Sequence, residues 1–135
     1  MEKLNTEQLR KYIIQEVSKI VDILPDNYYF QKNNSRSNEG TYIYSDKIGY
    51  HIVYSEKGSE NSHKITDNEF EISFWVLNSI VRAMAIDYMR KNIKSGENQR
   101  EIIFNRELEL LDKAGENYRK AGEIYISEIL KKNPL

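Results

Sequence analysis

The segment between Thr66 and Gly96 constrains this chain most. Thr66-Asp67-Asn68-Glu69 has the Ser/Thr-x-x-Glu spacing of a capping box, which predicts a helix start. The pattern that follows predicts a helix over about residues 67–94, with Gly96 ending it. About 28 helical residues rising roughly 1.5 Å each would span about 42 Å. Apolar side chains cover most of its circumference, leaving a polar strip of Glu71, Asn78 and Arg82. A helix of that kind has to be packed on several sides, so the rest of the chain must supply its cover.

Three further helices are predicted. Leu9, Ile13, Val17, Ile20 and Leu24 recur at three- and four-residue steps, making one apolar stripe over about Thr6 to Leu24. Asn5 or Thr6 supplies the N-cap, and Pro25 disfavours helical geometry before it. A second stretch, about Glu97 to Ala114, turns Ile103, Phe104, Leu108 and Leu111 inward, with Gly115 suited to a left-handed stop. A third, about Glu116 to Lys132, aligns Tyr118, Ala121, Tyr125, Ile129 and Leu130, and Lys131 and Lys132 complement its dipole.

Between the first helix and the apolar one lies a β pattern. Residues 31–40 contain no apolar side chain and read as an exposed loop. Thr41 to Ser45 and Tyr50 to Ser55 alternate as strands, and Asp46 to Gly49 is short enough to join them as an antiparallel hairpin. Alternation puts Tyr42 and Tyr44 on one face of the first strand, and Tyr50, Ile52 and Tyr54 on one face of the second. One hairpin face is therefore expected to be nearly all Tyr. Residues 55–64 read as a second polar loop. The expected fold class is α+β: a mainly helical single domain over residues 1–135, about four helices, with a β-hairpin inserted after the first.

Composition narrows the function. The chain has 135 residues, enough for one core and short for two. Its 20 Lys+Arg and 21 Asp+Glu interleave throughout, without the basic concentration that phosphate neutralisation needs. The longest unbroken apolar run is four residues, as at Phe74–Leu77, too short to span a bilayer. With no Cys there is no disulfide framework or thiolate zinc site. The first 24 residues carry charges throughout and lack a signal-peptide block, so the expected compartment is the cytoplasm.

Catalytic signals are sparse. The six Gly are scattered and form no phosphate loop, and there is no Gly-x-Ser-x-Gly elbow. His63 sits three residues from Glu60 and seven from Glu56, a trio that can hold a divalent cation, although such spacing in a polar loop is common by chance. His51 falls on the strand face opposite Tyr50 and Tyr54. No catalytic residue, cofactor or metal is expected.

The Tyr content points instead to binding. Ten of the 15 aromatics are Tyr, and six of those lie between residues 28 and 54. Tyr offers a large, stiff, amphipathic contact at small entropy cost. The strand 41–45 contains no Lys or Pro to protect an edge, so it is also a candidate for pairing with a partner's strand.

Several blocks together resemble the immunity protein 63 family. Gly49 to Glu60 resembles its signature strand and turn, a Tyr-His pair followed by apolar residues and Glu-Arg-Gly-x-Glu. Thr66-Asp67 with Glu69 to Leu77, including Phe74-Trp75-Val76, looks like its Thr-x-Asp…Tyr-Trp-Val segment. Ala83-Met84-Ala85 with Tyr88 resembles its small-residue helix. Arg100, Phe104 and Leu110-Leu111 match Arg-x-x-x-Phe…Leu-Leu, and Asn133-Pro134 matches His-Pro. The resemblance covers about residues 49–135. Lys57 stands in place of Arg, Glu101 in place of a second Arg, and Met89 in place of an acid, so part of any family ion network is missing.

The resemblance implies a bacterial immunity protein, not an enzyme. Such proteins bind the C-terminal domain of a polymorphic or contact-dependent toxin encoded beside them. The expected contact residues are Tyr42, Tyr44, Glu56, Lys57, Glu60 and two acids expected to be exposed on the helix from Glu97 to Ala114, Glu107 and Glu109. No membrane or nucleic-acid partner is expected. The alternatives from other classes are an antitoxin-like regulator that binds nucleic acid, and a metal-dependent hydrolase built on Glu56, Glu60 and His63.

Overall fold

The computed structural model describes residues 2–33, 39–56 and 59–135. In chain order they form α1 (Thr6–Val17), β1 (Tyr28–Tyr29), β2 (Gly40–Ser45), β3 (Tyr50–Glu56), β4 (Ser59–Thr66), α2 (Glu69–Asn92), α3 (Gln99–Ala114) and α4 (Glu116–Lys132). The α+β class with four helices read from the sequence is the class observed. Two compact units divide the chain, Met1–Ser73 and Phe74–Leu135, and α2 runs through the division.

In the first unit α1 opens on a capping box at Asn5. The Gln8 amide donates to Asn5 Oδ1 at 2.8 Å, and the Asn5 amide donates to Gln8 Oε1 at 2.9 Å. Leu9, Ile13 and Val17, spaced four apart, are buried. The helix stops at Val17 rather than continuing to Leu24. The Ser18 hydroxyl donates to the Gln15 carbonyl at 2.6 Å, and the Lys19 and Ile20 amides tighten to partners three residues back. Beyond this stop Ile23 is 81% exposed.

Among the described residues the sheet has four strands in the order β1-β2-β3-β4, twice the expected hairpin. β1 is short and parallel to β2, held through the Thr41 amide donating to the Asn27 carbonyl at 2.7 Å. The chains approach so closely that a Cβ on Gly40 (φ +146) would lie 2.7 Å from the Asn27 oxygen, which selects glycine. β4 corrects the polar-loop reading of residues 55–64. It is an antiparallel strand with one apolar side chain, Ile65, and it earns its place through backbone pairing to β3 with a bulge opposite Tyr54/Ser55.

The register also corrects the all-Tyr face. Ser45 pairs with Tyr50, so Tyr44 lies opposite His51, and Tyr42 opposite Val53. Tyr42, Tyr44, His51, Val53 and His63 share one face, while Ile43, Tyr50 and Ile52 point the other way. α1 packs on this second side. Thr6 Oγ1 accepts from the Ser45 amide at 3.0 Å, and the Tyr50 hydroxyl accepts from the Leu4 amide at 2.8 Å. The edge of β2, expected to be open, is thus taken by β1 at one end and by the start of α1 at the other.

α2 starts two residues later than the capping-box spacing predicts. Thr66 is still in β4, paired with Tyr50, and its hydroxyl accepts from the Asn68 amide at 3.1 Å. Asn68 is the cap, accepting from the Glu71 amide at 2.9 Å. Glu69 instead accepts the Tyr50 hydroxyl at 3.0 Å.

In the second unit Asn98 caps α3, accepting from the Glu101 amide at 3.1 Å. Ala85 and Met89 of α2 pack with Ile103 of α3. α4 is rotated from the predicted face by one residue: Tyr118, Gly122 and Ile126 are buried, and Tyr125 is 41% exposed. Gly122 is the reason, because a Cβ there would lie 2.5 Å from Leu111 Cδ1. The helices close over that gap. Among the described residues, no helix is long and apolar enough to cross a membrane.

Candidate functional site

The most organised polar group in the first unit lies on the sheet face that carries Tyr44. It comes from the β2–β3 turn and three strands. Asp46 opens the turn; its carboxylate oxygen Oδ1 accepts from the Ile48 amide at 2.9 Å and the Gly49 amide at 3.2 Å. The same oxygen lies 2.7 Å from His51 Nε2. The other His51 nitrogen, Nδ1, lies 2.9 Å from His63 Nε2 on β4. His63 Nδ1 in turn faces Glu60 Oε2 at 3.7 Å. The result is a chain Asp46–His51–His63–Glu60 that crosses the sheet from a turn to its edge strand.

Packing holds this chain in place. The Tyr44 ring stacks on His51 with centroids 4.4 Å apart and an interplanar angle of 8°. His51 is 3% exposed, so both of its nitrogens need partners, and both have them. The His51 hydrogen bond, with the two turn amides, holds the Asp46 carboxyl down to about 2. An ionised Asp46 accepts only, so the proton between it and His51 sits on His51 Nε2. Burial, then Asp46 and Glu60, raise the Tyr44 hydroxyl and keep it protonated. Lys32 places its ammonium 5.6 Å from the Tyr44 ring centroid.

The sequence candidates divide sharply. Tyr44 and Glu60 fall in this group, and Glu60 is half exposed. Tyr42 does not behave as an exposed anchor: it is 2% exposed, covered by a stacked Tyr29 ring 5.0 Å away. Glu56 lies at the far end of β3, where the half-exposed Tyr54 hydroxyl donates to it at 3.4 Å. Lys57 lies outside the described residues.

In the second unit, Glu109 is exposed and pairs with Arg106 at 3.5 Å. Glu107 corrects the expectation of an exposed acid. It is 1% exposed, on the inward face of α3 with Ile103, Phe104 and Leu111, and Arg82 Nε donates to its Oε2 at 3.0 Å. Its other oxygen, Oε1, has no hydrogen-bond partner among the described residues. Burial raises its carboxyl and Arg82 partly offsets the rise. Arg82, read from the sequence as part of a polar strip, thus has as its ion-pair partner an acid that was expected on the surface.

His51 and Asp46 were missed as a functional pair. The signal was available: a loop at 46–49 forces Ser45 opposite Tyr50, hence Tyr44 opposite His51. His63 joins only because β4 is a strand. The cation trio does not assemble; among the described residues no three His, Asp or Glu side chains are grouped to hold a metal ion.

The family model for immunity protein 63 matches residues 45–128, which takes in Asp46, His51, Glu60 and His63 together with α2, α3 and most of α4. No curated protein and no solved structure matches the chain. The matched span is more than half of the sequence, and the chain belongs to the immunity protein 63 family.

Proposed function

We propose that residues 1–135 act as one immunity domain that binds and neutralises a cognate toxin without catalysing a reaction. The family match over residues 45–128 carries this reading. The toxin is the C-terminal domain of a polymorphic or contact-dependent system, encoded by the adjacent gene and met in the cytoplasm. The sheet surface supports such a role. Tyr44 and Glu60 combine a stiff aromatic platform with a carboxylate near solvent, a combination suited to a charge-steered interface with few anchors, while Glu56, beside Tyr54 on the other face of β3, is a separate contact candidate. Glu109 on α3 is a further contact candidate. Tyr42 and Glu107 support their surroundings from beneath rather than touching the partner.

The test is direct. The purified chain is titrated into the toxin domain encoded beside it, with complex formation and residual toxicity measured together. A stoichiometric complex that abolishes toxicity is expected. Two folded partners that do not associate would sink the proposal.

A further inference from the structure

The proton count in the histidine pair leads beyond a generic contact surface. Asp46 is ionised and accepts from His51 Nε2–H. When the pair is neutral, His51 Nδ1 is therefore bare and accepts from His63 Nε2–H across 2.9 Å. A neutral His63 then has no proton left for Nδ1. That lone pair and the Glu60 carboxylate face each other at 3.7 Å, with no donor between them among the described residues, on side chains 33% and 51% exposed. Two acceptors so placed call for a donor from outside.

We infer that Glu60 and His63 form a two-acceptor notch that takes a cationic side chain of the toxin, and that one proton on the His51–His63 pair closes it. This rests on the immunity reading and names what the partner presents: a lysine or arginine N–H. The surrounding face suits a cation. Tyr44 already carries the Lys32 ammonium over its ring, and Asp46 and Glu60 flank the histidines. Lys64 pairs opposite Ile52 and so points to the other side of the sheet.

A single added proton gives the pair its second arrangement. His51 then donates from both nitrogens, to Asp46 and to His63 Nε2. His63 Nδ1 becomes an N–H directed at Glu60. The notch is filled from within and the pair carries one positive charge, which repels the incoming cation. Two added protons would set N–H against N–H at the His51–His63 contact, so the pair holds one. The groups facing the pair are Tyr44 from β2, Asp46 from the turn and Glu60 from β4, with Lys32 beyond Tyr44 and Lys3 donating to the Asp46 carbonyl.

The experiment measures affinity for the toxin domain encoded by the adjacent gene from pH 8 to pH 5.5. Wild type is expected to weaken about tenfold on acidification, the scale of one charge-assisted hydrogen bond at a half-exposed site. Glu60→Gln and His63→Gln are expected to weaken binding about tenfold at pH 8 and to flatten the pH response. Wild-type affinity and wild-type pH response in both variants would overturn the notch while leaving neutralisation intact. Failure of wild type to bind at any pH would overturn the immunity reading as well. Nitrogen NMR of the imidazoles reads the protein alone: at pH 8, His63 should carry its proton on Nε2 and none on Nδ1. A protonated Nδ1 there overturns the inference whatever the partner does.

Discussion

Each unit of this molecule buries a titratable group, and the two are treated differently. In the sheet, His51 is 3% exposed and both ring nitrogens are bonded, so burial is matched by partners. In the helical unit, Glu107 is 1% exposed with one oxygen bound to Arg82 and the other without a partner among the described residues. The sheet group ends at solvent, in Glu60 and His63. The helical pair is a packing solution: Arg82 also sits 5.7 Å from the Phe104 ring centroid. A satisfied polar chain that leads to the surface is suited to recognition. A half-satisfied buried carboxylate costs stability and offers a partner nothing.

The largest test of that contrast is Arg82→Leu. Breaking a buried ion pair from one side costs about 3–5 kcal/mol, and the low end applies because Arg82 is 37% exposed. Denaturant unfolding should show a loss of about 3 kcal/mol, and Arg82→Leu with Glu107→Leu should recover most of it. A loss below about 1 kcal/mol for the single variant would remove the contrast.

His51→Phe comes next. It keeps the ring against Tyr44 and removes two hydrogen bonds. Thermal or denaturant unfolding should show about 1–2 kcal/mol of destabilisation. Stability equal to wild type would mean that the histidine chain is not what orders this face.

The two carboxyls should then show opposite pH behaviour. The His51 hydrogen bond and the turn amides hold the Asp46 carboxyl down to about 2, against an ordinary value of 3.8. Its contribution is full above pH 3.8 and is lost as pH falls toward 2. Asp46→Asn should flatten that acid limb. Burial raises the Glu107 carboxyl above its ordinary value of 4.5. The native state holds that proton after the unfolded chain has released it, so the contribution is full below pH 4.5 and declines as pH rises through the folded value. Glu107→Gln should flatten the stability profile on that side. Unfolding midpoints across pH 2 to 8 measure both, and limbs of the same sign would contradict the assignment.

The smallest expected effect on stability is that of Glu60→Gln, within about 0.5 kcal/mol, since the side chain is half exposed and contacts His63 at only 3.7 Å. Its effect should appear in toxin binding. A large stability loss would make Glu60 a structural residue.

Much of the helical framework was legible. The α4 boundaries, the Arg82 strip and the Gly115 break follow from propensity, periodicity and left-handed backbone, all local properties. α1 was overextended because its apolar stripe continues past Val17, where local hydroxyl and three-residue bonds end the helix. Tyr42 and Glu107 were misplaced for a common reason. Polar side chains read as exposed until a neighbour such as Tyr29 or Arg82 is brought onto them by distant parts of the chain.

The sequence by itself determined the α+β class, the helix count and, through several spaced blocks, the family. Those signals are short-range patterns or ordered motifs. Tertiary structure decided what the polar residues do. Only the pairing of a polar stretch as β4 sets His63 against His51, and only the sheet register sets His51 beside Tyr44. A strand that buries almost no side chain leaves no hydrophobic alternation to read. Its identity comes from backbone hydrogen bonds to a neighbour, which a linear sequence does not display.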